Sequence, residues 1–152
     1  MTQVRTAPLP CVDTHTTVVE AGAEEAWRAV ADVLDGSTAN GLMSRYTRLI
    51  GCADRTASGP RPLDVGSTVR GFRVTVARPG RELGLTGRHR LATYALAFHL
   101  APDGPGRTRV SAETRAVFPG PAGALYRLLV IGSGAHAAVM RRMLATIGRR
   151  AN

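Results

Sequence analysis

The sequence predicts an α+β fold, in which a curved antiparallel sheet wraps around one long C-terminal helix and one or two short helices follow the first strand. Residues 68–118 form short runs of alternating apolar and polar side chains separated by turn residues, which is typical of strands joined as hairpins. Residues 121–150 instead place apolar side chains at helical spacing. A helix with one apolar face must be covered, and the strands before it supply the cover.

The N-terminal part predicts one strand and one helix. Residues 12–20 are rich in Thr and Val, which favours a strand. Residues 23–34 begin with two glutamates, as helix starts often do, and they place three apolar residues on one face. These are Trp27, Val30 and Leu34. We expect residues 35–37 to end this helix, and a second short helix to run to Met43 with Ser37 as its cap.

The middle of the chain predicts a loop followed by hairpins. Residues 46–52 can form a short strand, and residues 54–64 are rich in Gly, Pro, Ser and Arg, which indicates a surface loop able to gate a cavity. Four longer strands follow, at residues 68–78, 82–90, 92–101 and 108–118. Their separators are Pro79-Gly80, a corner at Leu91, and residues 102–106. Such short connections predict antiparallel pairing.

Alternation within the strands predicts which side chains face the core. Residues 92–101 turn Tyr94 and Phe98 inward and His99 outward, while His89 and Thr114 face inward from their own strands. For residues 68–78 the pattern does not decide which face is turned inward. One alternative face holds Phe72, Val74 and Val76, and the other holds Val69, Gly71 and Arg73.

The C-terminal helix is predicted to begin at Pro121, because Pro119 and Gly120 end the preceding strand and proline is well tolerated in a first helical turn. Its apolar face contains Leu125, Leu129, Gly132, His136, Val139, Met140, Met143 and Ile147. Two interpretations of Gly132 and His136 remain open. They form a cavity beside a polar group, or Gly132 allows close helix–sheet contact and His136 is a core histidine bonded to a backbone carbonyl.

Length and composition limit the function classes. With 152 residues we expect one domain at residues 12–152, preceded by a flexible leader at residues 1–11. The net charge is +9, but all 20 basic residues are arginines that are spread mostly singly, so we expect no nucleic-acid partner. No apolar run is long enough for a membrane span, and no secretory signal is recognisable. We therefore expect a cytoplasmic protein.

Motifs for metal, nucleotide or nucleophile chemistry are not found in the sequence. The four histidines form no HxxxH or HxH pair, and the two cysteines, Cys11 and Cys52, lack metal-ligand spacing. Gly132-Ser133-Gly134 lies within the helical pattern and not between a strand and a helix. There is no GxSxG elbow. We expect no metal and no cofactor.

This order of elements resembles the START-like helix-grip superfamily. The resemblance extends over residues 12–150, and it includes Gly66-Ser67-Thr68-Val69-Arg70-Gly71 before the first long strand and Phe118-Pro119-Gly120 before the last helix. That superfamily contains polyketide cyclases and aromatases, lipid-transfer domains and plant pollen-allergen proteins. The resemblance implies a deep apolar cavity between the sheet and the last helix, which members use to bind lipids, steroids or polyketides or to catalyse cyclisation and dehydration.

Three functions follow as hypotheses. The first is binding of a hydrophobic small molecule, such as a lipid, a polyketide or another apolar carbonyl compound, in the cavity. The second is a cyclase or dehydratase, with His136 as base, Tyr94 and Arg73 as donors and His89 as a second acid or base. The predicted ligand contacts are Arg73, Thr114, Phe98, Leu129, Gly132 and Met140. The third is a protein-interaction module. A homodimer is left open.

Overall fold

The sheet is antiparallel throughout in the computed structural model, which describes residues 9–37, 51, 58–59, 63–69 and 71–151. These residues contain six strands: β1 (Cys11–Val19), β2 (Thr68–Val69), β3 (Phe72–Arg78), β4 (Glu82–His89), β5 (Ala92–Pro102) and β6 (Thr108–Val117). Their order across the sheet is β1-β6-β5-β4-β3-β2. The long connection from β1 thus brings the first strand beside the last one.

Helices cover one face of this sheet. Among the described residues they are α1 (Ala23–Ser37), α2 (Gly120–Arg127), a π-helical segment (Leu128–Gly132) and α3 (Ala135–Ala151). The core is formed by inward residues of the strands, by one face of α1 and by three residues of α3, Met140, Leu144 and Ile147. The α+β prediction is confirmed, with the sheet, the helix after the first strand and the C-terminal helix in the expected order.

Alternation correctly predicts the inward faces of β4, β5 and β6. The buried side chains on these strands include Leu83, Leu85, Leu96, Phe98, Leu100, Val110, Ala112, Thr114 and Ala116. His99 lies outside, with half of its side chain exposed. The predicted face of α1 is also buried, and the indole Nε1 of Trp27 donates to the carbonyl of Glu82 at 3.2 Å. This bond ties α1 to the start of β4.

The predicted strand at residues 68–78 is two strands. Gly71 has a φ of +91°, and β2 and β3 pair with each other across this turn, Val69 opposite Phe72. A left-handed φ of this kind favours glycine, so the single strand could not continue through the position. Val74 is buried and Arg73 exposed, which settles the inward face of β3. A bulge between Val74 and Val76 then shifts the alternation.

The predicted long C-terminal helix is bent. Ser133 and Gly134 interrupt it, and the parts before and after the break meet at 49°. Gly134 has a φ of +81°, and the hydroxyl of Ser133 donates to the carbonyl of Leu129. No single described helix meets the length and apolarity expected of a membrane span, although the bent pair meets them when its two halves are taken together.

Helix α1 continues to Ser37, three residues beyond its predicted end at Leu34. Asp35 and Gly36 are weak helix breakers, and they do not outweigh the packing of the turn before them. The predicted short helix from Ser37 to Met43 lies outside the described residues, apart from Ser37 itself in α1. The same holds for most of the predicted strand at 46–52 and most of the loop at 54–64, where Leu63 is described and buried.

Candidate functional site

The inward face of β1 is polar at the end where this strand begins. Counting back in steps of two from the buried Val19 gives Thr17, His15 and Asp13, each half-buried. Asp13 lies opposite Thr114 of β6, and His15 lies opposite Ala112. A register shift between Cys11 and Asp13 precedes this pair. The sheet therefore presents a carboxylate and an imidazole side by side on its concave face.

His136, in the first turn of α3, completes this group. Its Nε2 lies 3.1 Å from the Thr114 hydroxyl and 3.4 Å from Oδ1 of Asp13. On the other side of the carboxylate, Nε2 of His15 lies 3.1 Å from Oδ2. We call Asp13, His15, Thr114 and His136 the Asp13 cluster. Its acidic and imidazole side chains are 20–23% exposed, so they can be reached by a small molecule.

The two oxygens of Asp13 are in different situations. Oδ2 accepts a hydrogen bond from His15, since a carboxylate can only accept. Oδ1 is buried and makes no hydrogen bond with any residue that the structure describes, although Nε2 of His136 lies 3.4 Å from it. A buried oxygen without a donor typically costs about 1–3 kcal/mol. Buried polar atoms without a hydrogen-bond partner are few in folded proteins.

A second group, made largely of aromatic rings, lies where α2 meets the sheet. The ring of His89 is 5.5 Å from that of Tyr94 and 5.0 Å from that of Tyr126 of α2. Phe72 packs edge-on against Tyr94 at 5.2 Å, and Phe118 lies 6.2 Å from Tyr126. These five residues, Phe72, His89, Tyr94, Phe118 and Tyr126, are called the aromatic cluster below.

Hydrogen bonds fix the polar atoms of the aromatic cluster. The Tyr94 hydroxyl donates to the carbonyl of Gly71 at 2.6 Å, and Nδ1 of His89 accepts from the Leu91 N–H at 3.0 Å. Since Nδ1 is an acceptor, the neutral ring carries its proton on Nε2. Burial lowers the pKa of His89 below its ordinary value, because the charged ring loses solvation. His89 therefore favours its neutral form.

Gly123 sets how closely α2 approaches the sheet. A Cβ at this position would lie 2.7 Å from the carbonyl carbon of Phe118 and 3.1 Å from the carbonyl oxygen of Leu91. Only glycine allows this approach without a shift of the backbone. The close contact brings Tyr126, three residues later, onto His89.

The predicted site residues fall into separate places. His136 and Thr114 meet in the Asp13 cluster, whereas His89 and Tyr94 meet in the aromatic cluster. Tyr94 is paired with Ala116, so its backbone is a diagonal neighbour of Thr114 at about 7–8 Å. Its hydroxyl, however, is bonded to Gly71. The structure therefore does not bring the Tyr94 hydroxyl and His136 together.

Other predicted contacts lie elsewhere. Arg73 is exposed and alternates with the inward Phe72 and Val74, so it is on the opposite face of β3. Phe98 and Met140 belong to the core. Leu129 and Gly132 are exposed, and a Cβ on Gly132 would meet only Leu128 of its own helix. Of the two alternatives for these positions, the one in which Gly132 packs closely on the sheet and His136 is bonded to a backbone carbonyl is wrong, because the hydrogen bond of His136 goes to the Thr114 hydroxyl.

Sequence reasoning missed Asp13 and His15, since it found no inward-facing carboxylate. Alternation counted back from Val19 would place both residues on the inner face of β1. Most side chains on both faces of this strand are polar, however, so the sequence does not show which face is turned inward. Among the residues that the structure describes, no three His, Cys, Asp or Glu side chains are arranged to hold a metal ion. The Asp13 cluster is instead suited to hydrogen bonding and to proton transfer, because it joins a carboxylate, two imidazoles and a hydroxyl.

No protein-family model and no curated protein matches the chain. Mll3558 from Rhizobium loti superposes with a TM-score of 0.54 at 16% identity, covering 91% of this chain and 94% of that one. The Aha1 dimer from Colwellia psychrerythraea gives 0.54 at 17% identity, covering 91% and 93%. DynU16, a protein in the dynemicin biosynthetic locus, gives 0.53 at 15% identity, covering 90% and 45%. At these identities the likeness concerns the fold alone, and the fold is the helix-grip fold.

Proposed function

We propose that the chain binds a hydrophobic small molecule between the concave face of the sheet and its bent C-terminal segment. One observation carries the proposal. The segment contacts the sheet on both sides of the exposed leucines Leu128 and Leu129, before them through Tyr126 on His89 and after them through His136 on Thr114. Between them, Leu128 and Leu129 are 65% and 63% exposed. A helix that is held at both ends but leaves its leucines unpacked in the middle is suited to form one wall of a ligand site.

Exposed apolar area near these leucines supports the same proposal. Leu125 and Val139, on either side of them, are each 57% exposed. Clusters of exposed apolar side chains commonly mark binding sites. Burying one exposed leucine under a ligand contributes roughly 1.5–3 kcal/mol, so a molecule covering two of them would gain about 3–6 kcal/mol toward binding.

The class of ligand is inferred from chemistry and from the fold. The lining offers aliphatic and aromatic surface with a few polar groups, which is the usual composition of sites for apolar organic molecules. DynU16, which shares the fold, is described as a protein in a biosynthetic locus for dynemicin. We therefore favour polyketide-like or lipid-like compounds. The fold supports this choice only as a class, because one fold serves many functions.

The test is a fluorescence titration with the apolar probe N-phenyl-1-naphthylamine. We expect saturable binding, weakened about tenfold or more in the double variant Leu128→Ser/Leu129→Ser, whose substituted side chains are already exposed and should leave the melting temperature nearly unchanged. The matched control is Val18→Ser/Val117→Ser, at exposed positions on the outer face of the sheet. It should bind as the wild type does.

Two results would contradict the proposal. Equal probe affinity in the wild type and in both double variants would show that the probe binds away from Leu128 and Leu129. A dimer in sedimentation that the Leu128→Ser/Leu129→Ser variant dissociates, without probe uptake by either protein, would show that a second copy covers these leucines. That outcome would favour the protein-interaction hypothesis.

Acid–base catalysis in the same site is a second candidate, favoured by the contact of His136 with Asp13 and Thr114. A carboxylate beside an imidazole orients the ring, and an imidazole oriented in this way can act as a general base. With a polyketide-type carbonyl substrate, His136→Ala should abolish turnover and retain affinity. His99→Ala, on the outer face of β5, should retain both. Equal turnover in the His136→Ala variant and the wild type would exclude this role.

A further inference from the structure

The C-terminal segment, residues 120–151, carries positive charge and no acidic residue. The last acidic residue of the chain is Glu113, and five arginines follow the start of α2. They are Arg127, Arg141, Arg142, Arg149 and Arg150. All five are exposed, and none of them forms an ion pair with a carboxylate in the part of the chain that the structure describes. The segment thus holds five unpaired positive charges, in a chain whose net charge is +9.

The same segment exposes large apolar side chains beside these charges. Leu125, Leu128 and Leu129 recur at the spacing i, i+3 and i+4, so they share one face, and each is more than half exposed. After the bend, Val139 is also more than half exposed, and the exposed Arg142 lies one helical turn after it. We call the four apolar side chains and the five arginines the C-terminal surface.

The composition of the C-terminal surface indicates what covers it. A partner has to accept apolar side chains and positive charges together. An anionic lipid bilayer does both, because leucines enter the boundary between head groups and acyl chains while the long arginine side chains reach the lipid phosphates. A nucleic acid would neutralise the arginines but leave the leucines in water. A second copy in a symmetric contact would place arginines against arginines.

We infer that the chain docks on the surface of anionic lipid bilayers through the C-terminal surface, with its leucines in the head-group region and its arginines against the lipid phosphates. The segment lies along the bilayer and does not cross it. This inference goes beyond the proposed function, since it would also hold for a chain that binds no small molecule. If both hold, Leu128 and Leu129 lie between the ligand site and the bilayer.

The test is co-sedimentation with vesicles of phosphatidylcholine alone and of phosphatidylcholine mixed with phosphatidylglycerol. We expect the wild type to bind the mixed vesicles and to bind pure phosphatidylcholine far more weakly, because the arginines are attracted to anionic head groups. Sodium chloride should weaken binding to the mixed vesicles, since salt screens exposed charges.

The double variant Arg141→Gln/Arg142→Gln tests the charges. One arginine near an anionic surface contributes about fivefold in affinity, so the loss of two should weaken binding to the mixed vesicles about 25-fold. Both side chains are exposed, so the melting temperature should stay nearly unchanged. The matched control is Arg78→Gln/Arg88→Gln, at exposed positions on the outer face of β3 and β4. It removes as much charge and should bind the vesicles nearly as the wild type does.

The Leu128→Ser/Leu129→Ser variant tests the apolar side chains and should bind the mixed vesicles about tenfold more weakly or worse. Unchanged vesicle affinity in this variant would overturn the inference, since the leucines would then stay outside the bilayer. Equal losses in the two arginine double variants would also overturn it, because net charge and not the C-terminal surface would decide the binding. So would binding to duplex DNA without binding to either kind of vesicle.

Probe binding in the absence of vesicles separates this inference from the proposed function. Arg141→Gln/Arg142→Gln should take up N-phenyl-1-naphthylamine as the wild type does, because its substitutions lie outside the proposed ligand site. A wild type that takes up the probe but does not bind the mixed vesicles would overturn the inference and leave the proposed function intact. Binding to the mixed vesicles without uptake of the probe would support the inference and contradict the proposed function.

Discussion

His89 is the residue for which the structure predicts a pH effect most directly. Burial lowers its pKa, and protonation of Nδ1 would also break the hydrogen bond from Leu91. In the unfolded chain the ring titrates near its ordinary value of about 6.5. Between that pH and the lower folded pKa, the unfolded state binds more protons, so the free energy of unfolding falls as the pH is lowered through this window.

We therefore expect His89→Phe to lose less stability than the wild type between pH 7 and pH 5, measured by urea denaturation at each pH. The phenylalanine keeps an aromatic ring against Tyr94 and Tyr126 but cannot take up a proton. An NMR titration of the wild-type His89 ring should give a midpoint below 6.5. A midpoint at or above 6.5, or equal losses in both proteins, would contradict this account.

Single residues also show what could be predicted from sequence. Alternation placed Thr114 and Phe98 on the inner face because their strands contrast apolar with polar residues. It missed Asp13 and His15, because the inner face of β1 is itself polar over much of its length. It also left Arg73 undecided, since the turn at Gly71 and the bulge after Val74 both alter the count. A polar inner face can be recognised only when the partner strand is known.

The bend of the C-terminal segment predicts whether a substitution at Gly134 raises or lowers the free energy of unfolding. Gly134 has a φ of +81°, a conformation that costs other residues about 1–2 kcal/mol. Gly134→Ala should therefore lower the free energy of unfolding by about this amount in urea denaturation. If residues 121–150 were one straight helix, the same change would raise it by ~1 kcal/mol, since alanine favours helices over glycine.

Gly132→Ala is the control for this prediction. Gly132 lies in the π-helical segment without a left-handed φ, and a Cβ there would meet only the flexible end of the Leu128 side chain, at 3.1 Å. It should be neutral or stabilising by up to about 1 kcal/mol. A stabilising effect of Gly134→Ala would show that the helix is continuous through this position.

For the helices and strands, the sequence predicts the type of each element better than the residues at which it begins and ends. The periodicity of apolar residues predicts the strands and helices, and β1, β4, β5, β6 and α1 are found as uninterrupted elements. The two interruptions, at Gly71 and at Gly134, were not expected, because a glycine inside a regular pattern is compatible both with continuation and with a turn. What decides between them is the backbone conformation, and that depends on tertiary contacts.

The whole molecule should unfold cooperatively. Residues of α1, α3 and all six strands share one hydrophobic core, and the only tryptophan, Trp27, is buried in it. A single core predicts one transition that is common to all probes. Tryptophan fluorescence and far-ultraviolet circular dichroism should therefore give the same urea midpoint. Separate midpoints would show that α1 and the sheet unfold independently, and would contradict one domain at residues 12–152.

The most direct test of ligand binding is native mass spectrometry of the protein purified from its own source, followed by denaturing extraction and identification of any released compound. We predict a mass above that of the chain alone, and a released molecule that is apolar. The same chain with no bound molecule, together with no thermal shift from a panel of fatty acids, polyketides and apolar dyes, would contradict the proposal that this fold serves here to bind a hydrophobic ligand.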